Sequence, residues 1–205
     1  MQTTEVIALP QYQKLSELLA RGEWLQSDRE TGDRILAILE KENPSEITSA
    51  EIEKIPCQDL QAIDLLWVTY SRGSFGFSRQ KRIYENLGGT EKCDRETWDR
   101  FGDRMGWRVG DRWLEHQELA INLATKAGQF PSFPTFYLSE IEPEKRAAQL
   151  RHNWLALFVR LENCQVDNLA AFPTHSTRKF GIIPKLIDPA QFQSEIRNEW
   201  SKRGN

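Results

Sequence analysis

Hydrophobic residues in the first half of the chain recur every three or four positions, the pattern of amphipathic helices. Leu60, Ile63, Trp67 and Tyr70 share one such face, and Gly73 follows as an exit from the helix. The pattern predicts five helices, over about residues 10–21, 23–42, 58–71, 78–87 and 94–105. Their short connections favour antiparallel neighbours in a compact helical domain.

The pattern changes after the fifth predicted helix. Trp107 and Trp113 flank Gly110-Asp111, a pair suited to a tight turn, so one small hairpin is predicted near residues 107–114. The fold class predicted from these patterns is all-α, a compact multi-helix domain with this hairpin as its one β element.

The rest of the chain alternates between loops and helices. A long amphipathic helix is predicted to open at Pro143 and a last short helix at Pro189. We divide the chain into an N-terminal extension (1–11), a helical domain (12–164) and a C-terminal tail that carries the short helix (165–205).

Composition excludes several classes of protein. The 205 residues are 39% hydrophobic, include seven tryptophans and carry a net charge of −3, which suits a globular core. No apolar run reaches the 18 residues of a membrane-spanning helix, and the N-terminus does not read as a secretory signal. No segment has the basic excess of a nucleic-acid-binding protein.

The cysteines and histidines do not form a recognisable chemical motif. An odd count of three cysteines without CxxC spacing predicts a reducing, cytoplasmic compartment. The three histidines lie far apart, so no dedicated metal site is predicted. Motifs for phosphate, dinucleotide or acyl chemistry are missing from the sequence, so we do not expect an enzyme.

Aromatic residues are concentrated in one stretch of 31 positions. They are Trp107, Trp113, Phe130, Phe133, Phe136 and Tyr137. Three of the phenylalanines are spaced three apart around two prolines, and a polyproline II helix would align such rings on one side. The rings either pack in the core, which the pattern alone favours, or form a platform for a flat ligand. His116 and Gln129 are polar residues at the edges of this stretch.

Three further patterns each allow a structural and a functional interpretation. Asp28 lies on one helix face with Trp24 and Thr31, and a scaffolding carboxylate is favoured over a catalytic base because no histidine or second carboxylate is placed to assist. Arginines recur every fourth position from Arg100 to Arg112 among aspartates, which favours a solvated mixed-charge face over an anion-docking surface.

The third pattern is the string Phe75-Gly-Phe-Ser78, which reads as a corner between two helices. Gly76 allows the backbone to turn and Ser78 is predicted to cap the next helix. A packed structural corner is favoured over a direct ligand contact.

Taken together, these residues resemble the "genomes uncoupled" family, the porphyrin-binding activators of magnesium chelatase in oxygenic phototrophs. The matching elements, in chain order, are Trp24-x-x-Ser-Asp28-x-x-Thr31, Ile55-Pro-Cys-x-Asp-Leu, Ile63-Asp-x-Leu-Trp67, Ser71-x-Gly-x-Phe-Gly-Phe-Ser-x-Gln80, Gly106-Trp107 with Trp113, and Gly128-x-Phe-Pro131.

The resemblance implies an open cleft in the helical domain that binds protoporphyrin IX or Mg-protoporphyrin IX. It also implies a non-catalytic role in chlorophyll biosynthesis, in which the protein stimulates magnesium chelatase through that enzyme's large porphyrin-binding subunit. The predicted ligand-binding residues are Trp107, Trp113, His116, Leu119, Gln129, Phe130, Arg146 and Arg151. A cytoplasmic monomer is expected, with peripheral membrane association left open.

The chain departs from the family pattern at two places. Gly128-Gln-Phe-Pro131 stands where relatives usually have Gly-His-Leu-Pro, and their Leu-Arg-Gly element just downstream is missing. Arg146 and Arg151 are the nearest substitutes for its arginine. These departures keep an alternative open, in which the same fold serves as a protein-interaction or bilin-binding module that does not act on the chelatase.

Overall fold

A computed structural model describes residues 9–119, 126–133 and 143–166, and these residues form helices with one two-stranded hairpin. The α-helices are α1 (Pro10–Ala20), α2 (Trp24–Ile38), α3 (Ser49–Ile52), α4 (Cys57–Tyr70), α5 (Phe77–Asn86), α6 (Arg95–Met105) and α7 (Pro143–Asn163). Two 3-10 turns cover Pro44–Glu46 and His116–Glu118. Strands β1 (Arg108–Val109) and β2 (Arg112–Trp113) are antiparallel and pair Arg108 with Trp113.

The predicted all-α fold class and its hairpin are confirmed. The second helix is shorter than predicted, because Leu39 caps it and Glu40 has a left-handed φ of 54°. The short helix α3 was not predicted; it begins where Thr48 Oγ1 accepts the backbone N–H of Glu51. The predicted short helix at Pro189 lies outside the described residues, as do most of the N-terminal extension and nearly all of the tail.

Helix α4 is at the centre of the fold. It is buried on nearly every side, unlike a surface helix with one apolar stripe. Helices α1, α5 and α7 all pack against it. Trp67, in the middle of α4, is completely buried, and its indole N–H donates to Thr31 Oγ1 on α2 at 2.9 Å. This central helix therefore positions the elements that carry the predicted ligand-binding residues.

Helix α7 is held against the first half of the chain by apolar packing and by hydrogen bonds. Trp154 and Leu157 are completely buried. Asn153 Nδ2 donates to the carbonyl of Ile47 at 2.9 Å, on the chain that leads into α3. No helix in the described ranges is long and apolar enough to cross a membrane.

A disulfide bond joins Cys57, the first residue of α4, to Cys164, which follows α7. The third cysteine, Cys93, is free and buried. The odd cysteine count had predicted a reducing compartment, in which disulfides are rare, whereas the structure pairs two cysteines that are 107 positions apart. The compartment itself stays a prediction. Sequence spacing gave no signal for this pairing, because only the packing of α7 brings the two residues together.

The corner between α4 and α5 is a structural one, as the sequence favoured. Gly76 caps α5 with φ 126° and ψ 153°, a conformation that is essentially restricted to glycine. Its N–H donates to the carbonyl of Phe130 at 3.0 Å. The predicted capping role of Ser78 is wrong: the backbone N–H of Ser78 donates to Asp64 Oδ1 at 2.9 Å, so a carboxylate of α4 stabilises the start of α5.

Two glycines of this corner provide a matched test. At Gly76 a Cβ would lie 2.8 Å from Val68 Cγ2 and 2.9 Å from Asp64 Oδ1, whereas at Gly73 (φ 78°) nothing lies within 4 Å. We expect Gly73→Ala to cost about 1–2 kcal/mol of backbone strain alone. Gly76→Ala adds steric overlap, so the free energy of unfolding of this variant should fall by at least about 2 kcal/mol more than that of Gly73→Ala. Urea denaturation measures both, and equal losses would contradict the corner geometry.

Candidate ligand-binding surface

Helix α6 and the hairpin form the surface that carries Trp113, one of the predicted ligand-binding residues. Asp94 caps α6, since its carboxylate accepts the backbone N–H of Thr97 at 2.8 Å. This interaction holds the pKa of Asp94 below its usual value. The helix ends at Gly106, whose left-handed φ of 77° turns the chain into the hairpin. The hairpin therefore leaves α6 at a fixed angle and folds back along it.

Trp113, at the end of β2, lies over α6. Its ring stacks on Trp98 with a centroid distance of 5.6 Å and an interplanar angle of 22°. A Cβ at Gly102 would come within 2.5 Å of the Trp113 ring, so the indole fills the space where a side chain of α6 would otherwise stand. Trp113 is half-buried. Among the predicted platform tryptophans it is the one with an accessible surface.

Trp107 and Phe130, both among the predicted ligand-binding residues, are completely buried, so neither ring is part of an exposed platform. Trp107 packs on Trp154 at 5.1 Å, and its indole N–H donates to the carbonyl of Gln129 at 2.9 Å. Phe130 stacks on Trp67 at 6.1 Å. Large rings gain more from full burial than from exposure to water, as the pattern alone had favoured.

Gln129 is also buried, with 3% of its surface exposed, so it is not the polar handle that was predicted. Its Oε1 accepts the backbone N–H of Lys126 at 3.3 Å and closes a local turn. Gln80, on α5, donates through Nε2 to the carbonyls of Gly128 and Pro131 at 2.7 and 2.6 Å. The segment 126–133 is thus fixed from inside the core.

Asp28 fastens the same segment from the other side. This carboxylate of α2 is completely buried and accepts hydrogen bonds from the backbone N–H of Ser132 at 2.6 Å and from the Ser132 hydroxyl. Its Oδ2 also lies 2.9 Å from Nε2 of His116. The scaffolding role favoured for Asp28 agrees with this geometry, but the histidine partner was missed because it lies 88 positions away.

His116 and Leu119 follow the hairpin and lie beside it in the chain. The His116 side chain is 15% exposed, and Asp28 holds its ring in place. Leu119 is buried, with 2% of its surface exposed. Residues 120–125, which follow Leu119, and residues 134–142, which follow the 126–133 segment, lie outside the described residues. The predicted open cleft therefore stays a prediction.

The two predicted arginines both lie on α7. The side chain of Arg146 is outside the description. Arg151 is half-buried, and its charge acts on the Cys93 thiol just before α6. Burial nevertheless raises the pKa of Cys93 above its usual value. The structure brings together the hairpin, His116 and the 126–133 segment, and a ligand contact by either arginine stays a prediction.

The arginines around the hairpin are neutralised by acidic neighbours. Arg108 forms ion pairs with Asp103 and Asp111, each at 3.0 Å. Arg112 binds Glu118 through two hydrogen bonds of 2.6 and 2.9 Å. This pairing, with the backbone N–H of Glu115 as a further donor, lowers the pKa of Glu118 to about 2. The surface is the solvated mixed-charge face that the sequence favoured.

Two further features of the described residues concern metal binding and a surface groove. No group of three or more His, Cys, Asp or Glu residues there is arranged to hold a metal ion. A polar groove of about 360 Å³ lies where α2 ends and α4 begins. It is lined by Ile38, Leu39, Glu40, Lys41, Glu51, Lys54 and Pro56, and by none of the predicted ligand-binding residues.

Comparisons with known proteins agree with this architecture. Residues 7–143 match the family model described as GUN4-like. The chain is 34% identical over 100 residues to the ycf53 protein of Pyropia yezoensis, which covers 48% of this chain and 39% of that one. It is 30% identical over 123 residues to the Ycf53-like protein of Synechocystis, covering 58% and 50%. The chain thus spans half the length of these relatives or less.

A solved structure gives the same fold. The ligand-free structure of Arabidopsis thaliana GUN4 superposes with a TM-score of 0.52 at 24% identity, over 73% of this chain and 96% of that one. The described fold and surface define an all-helical protein with a tryptophan-bearing hairpin packed on one helix. With the family model covering most of its length, the chain belongs to the GUN4-like family.

The stabilising role of the buried Asp28 carboxylate can be tested with Asp33, an exposed aspartate of the same helix, as the control. Asp28→Asn removes the charge that His116 and Ser132 face, so the free energy of unfolding should fall by about 1.5–3 kcal/mol. Asp33→Asn, at an exposed position of α2, should change it by less than about 0.5 kcal/mol. Chemical denaturation compares the two variants, and similar effects at both positions would argue against Asp28 as the fastening residue.

The hairpin ion pair predicts a pH dependence. Because the folded pKa of Glu118 is depressed, its pairing supports the fold above the usual carboxyl pKa of about 4.3 and loses that effect as the pH falls toward 2. Arg112→Gln should return the Glu118 midpoint to about 4 in an NMR titration. Arg104→Gln, which removes an exposed charge of α6, should leave it low. An unchanged midpoint in Arg112→Gln would refute the assignment.

Proposed function

We propose that this chain is a non-catalytic regulatory protein that binds a tetrapyrrole, protoporphyrin IX or Mg-protoporphyrin IX, at the hairpin surface. Membership of the GUN4-like family supports the class of ligand. The matched range, residues 7–143, includes Trp113, His116 and Leu119 but ends before Arg146 and Arg151. We therefore place the ligand contacts on the hairpin side and assign less weight to the two arginines of α7.

The observation that carries the proposal is the packing and partial burial of Trp113. Its ring is held by Trp98 and lies against the space at Gly102, and the residue as a whole is only partly buried. A flat macrocycle gains most from a ring that is already held rigid, since little side-chain entropy is then lost on binding. The buried Asp28–His116 pair anchors the chain that follows the hairpin, so the surface is preorganised on that side too.

Energetics agree with binding without covalent chemistry. A macrocycle that covers about 300 Å² of apolar surface gains about 7 kcal/mol at 25 cal/mol/Å². Loss of rigid-body freedom takes back at least about 4 kcal/mol. Two charge-assisted contacts to the propionates, for which Arg146 and Arg151 are the candidate donors, each contribute about 1.5–3 kcal/mol and bring the total to about 6–9 kcal/mol. This corresponds to a Kd between tens of micromolar and a few tenths of a micromolar.

We further propose that the liganded protein stimulates magnesium chelatase through its large porphyrin-binding subunit, as a monomer in the cytoplasm. The family resemblance supports this step. A chelatase assay with and without the chain tests it separately from ligand binding. An unchanged rate at saturating protoporphyrin would leave binding intact and refute the stimulation.

Matched tryptophan substitutions test the binding surface. Trp113→Phe reduces the ring that faces the ligand, so the Kd for protoporphyrin IX should rise about fivefold, corresponding to about 1 kcal/mol of stacking. Trp24→Phe, another half-buried tryptophan whose ring packs on Trp67, should leave the Kd unchanged. Quenching of tryptophan fluorescence during titration measures both, and circular dichroism checks that each variant is folded.

Three other outcomes decide between the proposal and its alternative. No saturable quenching at low micromolar protoporphyrin would overturn the ligand assignment. Displacement of protoporphyrin by a bilin of higher affinity would favour the bilin-binding module. Capture of the chelatase subunit without any porphyrin binding would favour a protein-interaction module of the same fold.

A further inference from the structure

The Cys57–Cys164 disulfide has an accessible side and a protected side. Cys57 is half-buried, and its chain neighbours Pro56 and Gln58 are exposed. Cys164 is 3% exposed, and its carbonyl accepts a hydrogen bond from Gln61 Nε2 at 2.7 Å. Cys57 is therefore the more accessible residue of the pair, and we take its sulfur as the one that an external thiolate attacks, while Cys164 is shielded by packing.

The position of Cys57 also favours its reduced form. It is the first residue of the 14-residue helix α4, where the helix dipole stabilises a negative charge. Thiolates at such helix starts are stabilised, and a disulfide whose reduced form is stabilised is more readily reduced. The guanidinium of Arg160 donates to the carbonyl of Ile55 at 2.9 Å, two residues before Cys57, and adds positive charge to the same turn.

Two acidic groups near this turn differ in their partners. Glu51 forms an ion pair with Lys54 at 2.9 Å, which offsets its negative charge. Asp59, in the first turn of α4, accepts a hydrogen bond from the neutral hydroxyl of Tyr12 and keeps its charge. The helix start and Arg160 are therefore the groups that favour a thiolate at Cys57, and Asp59 opposes them.

The fold around the bond does not depend on it. The last three turns of α7 keep the buried side chains of Trp154, Leu157 and Leu161, and the hydrogen bonds from Asn153 and Arg160 stay in place without the sulfur link. Breaking the bond removes the covalent link between the end of α7 and the start of α4 and leaves the helices packed. A bond of this kind acts on the local opening of one helix end.

We propose that Cys57–Cys164 is a redox-active site that reacts reversibly with a dithiol reductant, such as a thioredoxin-type protein, and controls how tightly the end of α7 is held to α4. This inference rests on the disulfide and its surroundings and is independent of the proposed tetrapyrrole binding.

The reaction balances as an ordinary thiol–disulfide exchange. One thiolate of the reductant attacks Cys57 Sγ, forms a mixed disulfide and releases Cys164 as a thiolate, which takes up a proton. The second thiol of the reductant, as a thiolate, then attacks the reductant sulfur that is bonded to Cys57 and releases the Cys57 thiolate. Two electrons pass to the protein, and the reductant leaves as a disulfide.

The first test counts thiols in the full chain. Protein purified without reductant should show one alkylated cysteine after denaturation, Cys93, and protein treated in its native state with dithiothreitol or reduced thioredoxin should show three. Native reduction should be faster than global unfolding measured under the same conditions. Three labelled cysteines before reduction, or reduction only at the rate of unfolding, would overturn the proposal.

The second test asks whether the bond controls the end of α7. Hydrogen exchange of the amides in the last turn of α7 should be at least about tenfold faster in the reduced protein and in Cys57→Ser than in the oxidised protein. Cys93→Ser, which removes the buried free thiol, should retain the slow exchange and its response to reductant. Equal exchange in the oxidised and reduced forms would refute control of this helix end.

Discussion

A buried charge must be matched by hydrogen-bond donors, and the carboxylate of Asp28 imposes this constraint on the fold. Its partners come from segments that are distant in the chain, the 3-10 turn at His116 and the loop at Ser132. Removal of either partner would leave this buried charge less well compensated. The arrangement of the candidate ligand-binding surface therefore depends on α2, an element that lies outside the aromatic region.

Local pattern sufficed for much of the fold and failed at long range. The apolar spacing around Trp67 predicted α4 as a helix, and the turn at Gly110 predicted the hairpin, because both signals are contained in a few neighbouring residues. The partner of Asp28, the carboxylate cap at Ser78 and the Cys57–Cys164 bond depend on residues brought together by packing. Nothing in the local sequence specifies such contacts.

The candidate site shows the same division. The order of the family motifs along the sequence predicted the hairpin and the segment after it as the candidate site. It did not distinguish rings that are exposed to solvent from rings that fill the core. Phe130 stacks on Trp67 and Trp107 on Trp154, and these partners are distant in the chain. Burial depends on which rings meet, so Trp113 was distinguished from its neighbours only by the three-dimensional packing on α6.

The missing side chain at Gly102 ties two positions of the sequence to one another. Any larger residue there would collide with the indole of Trp113, and a smaller residue at 113 would leave a gap over the helix. Neither position can drift alone without a loss of packing. Among related sequences the two positions are therefore expected to change together, and covariation between them would report this contact.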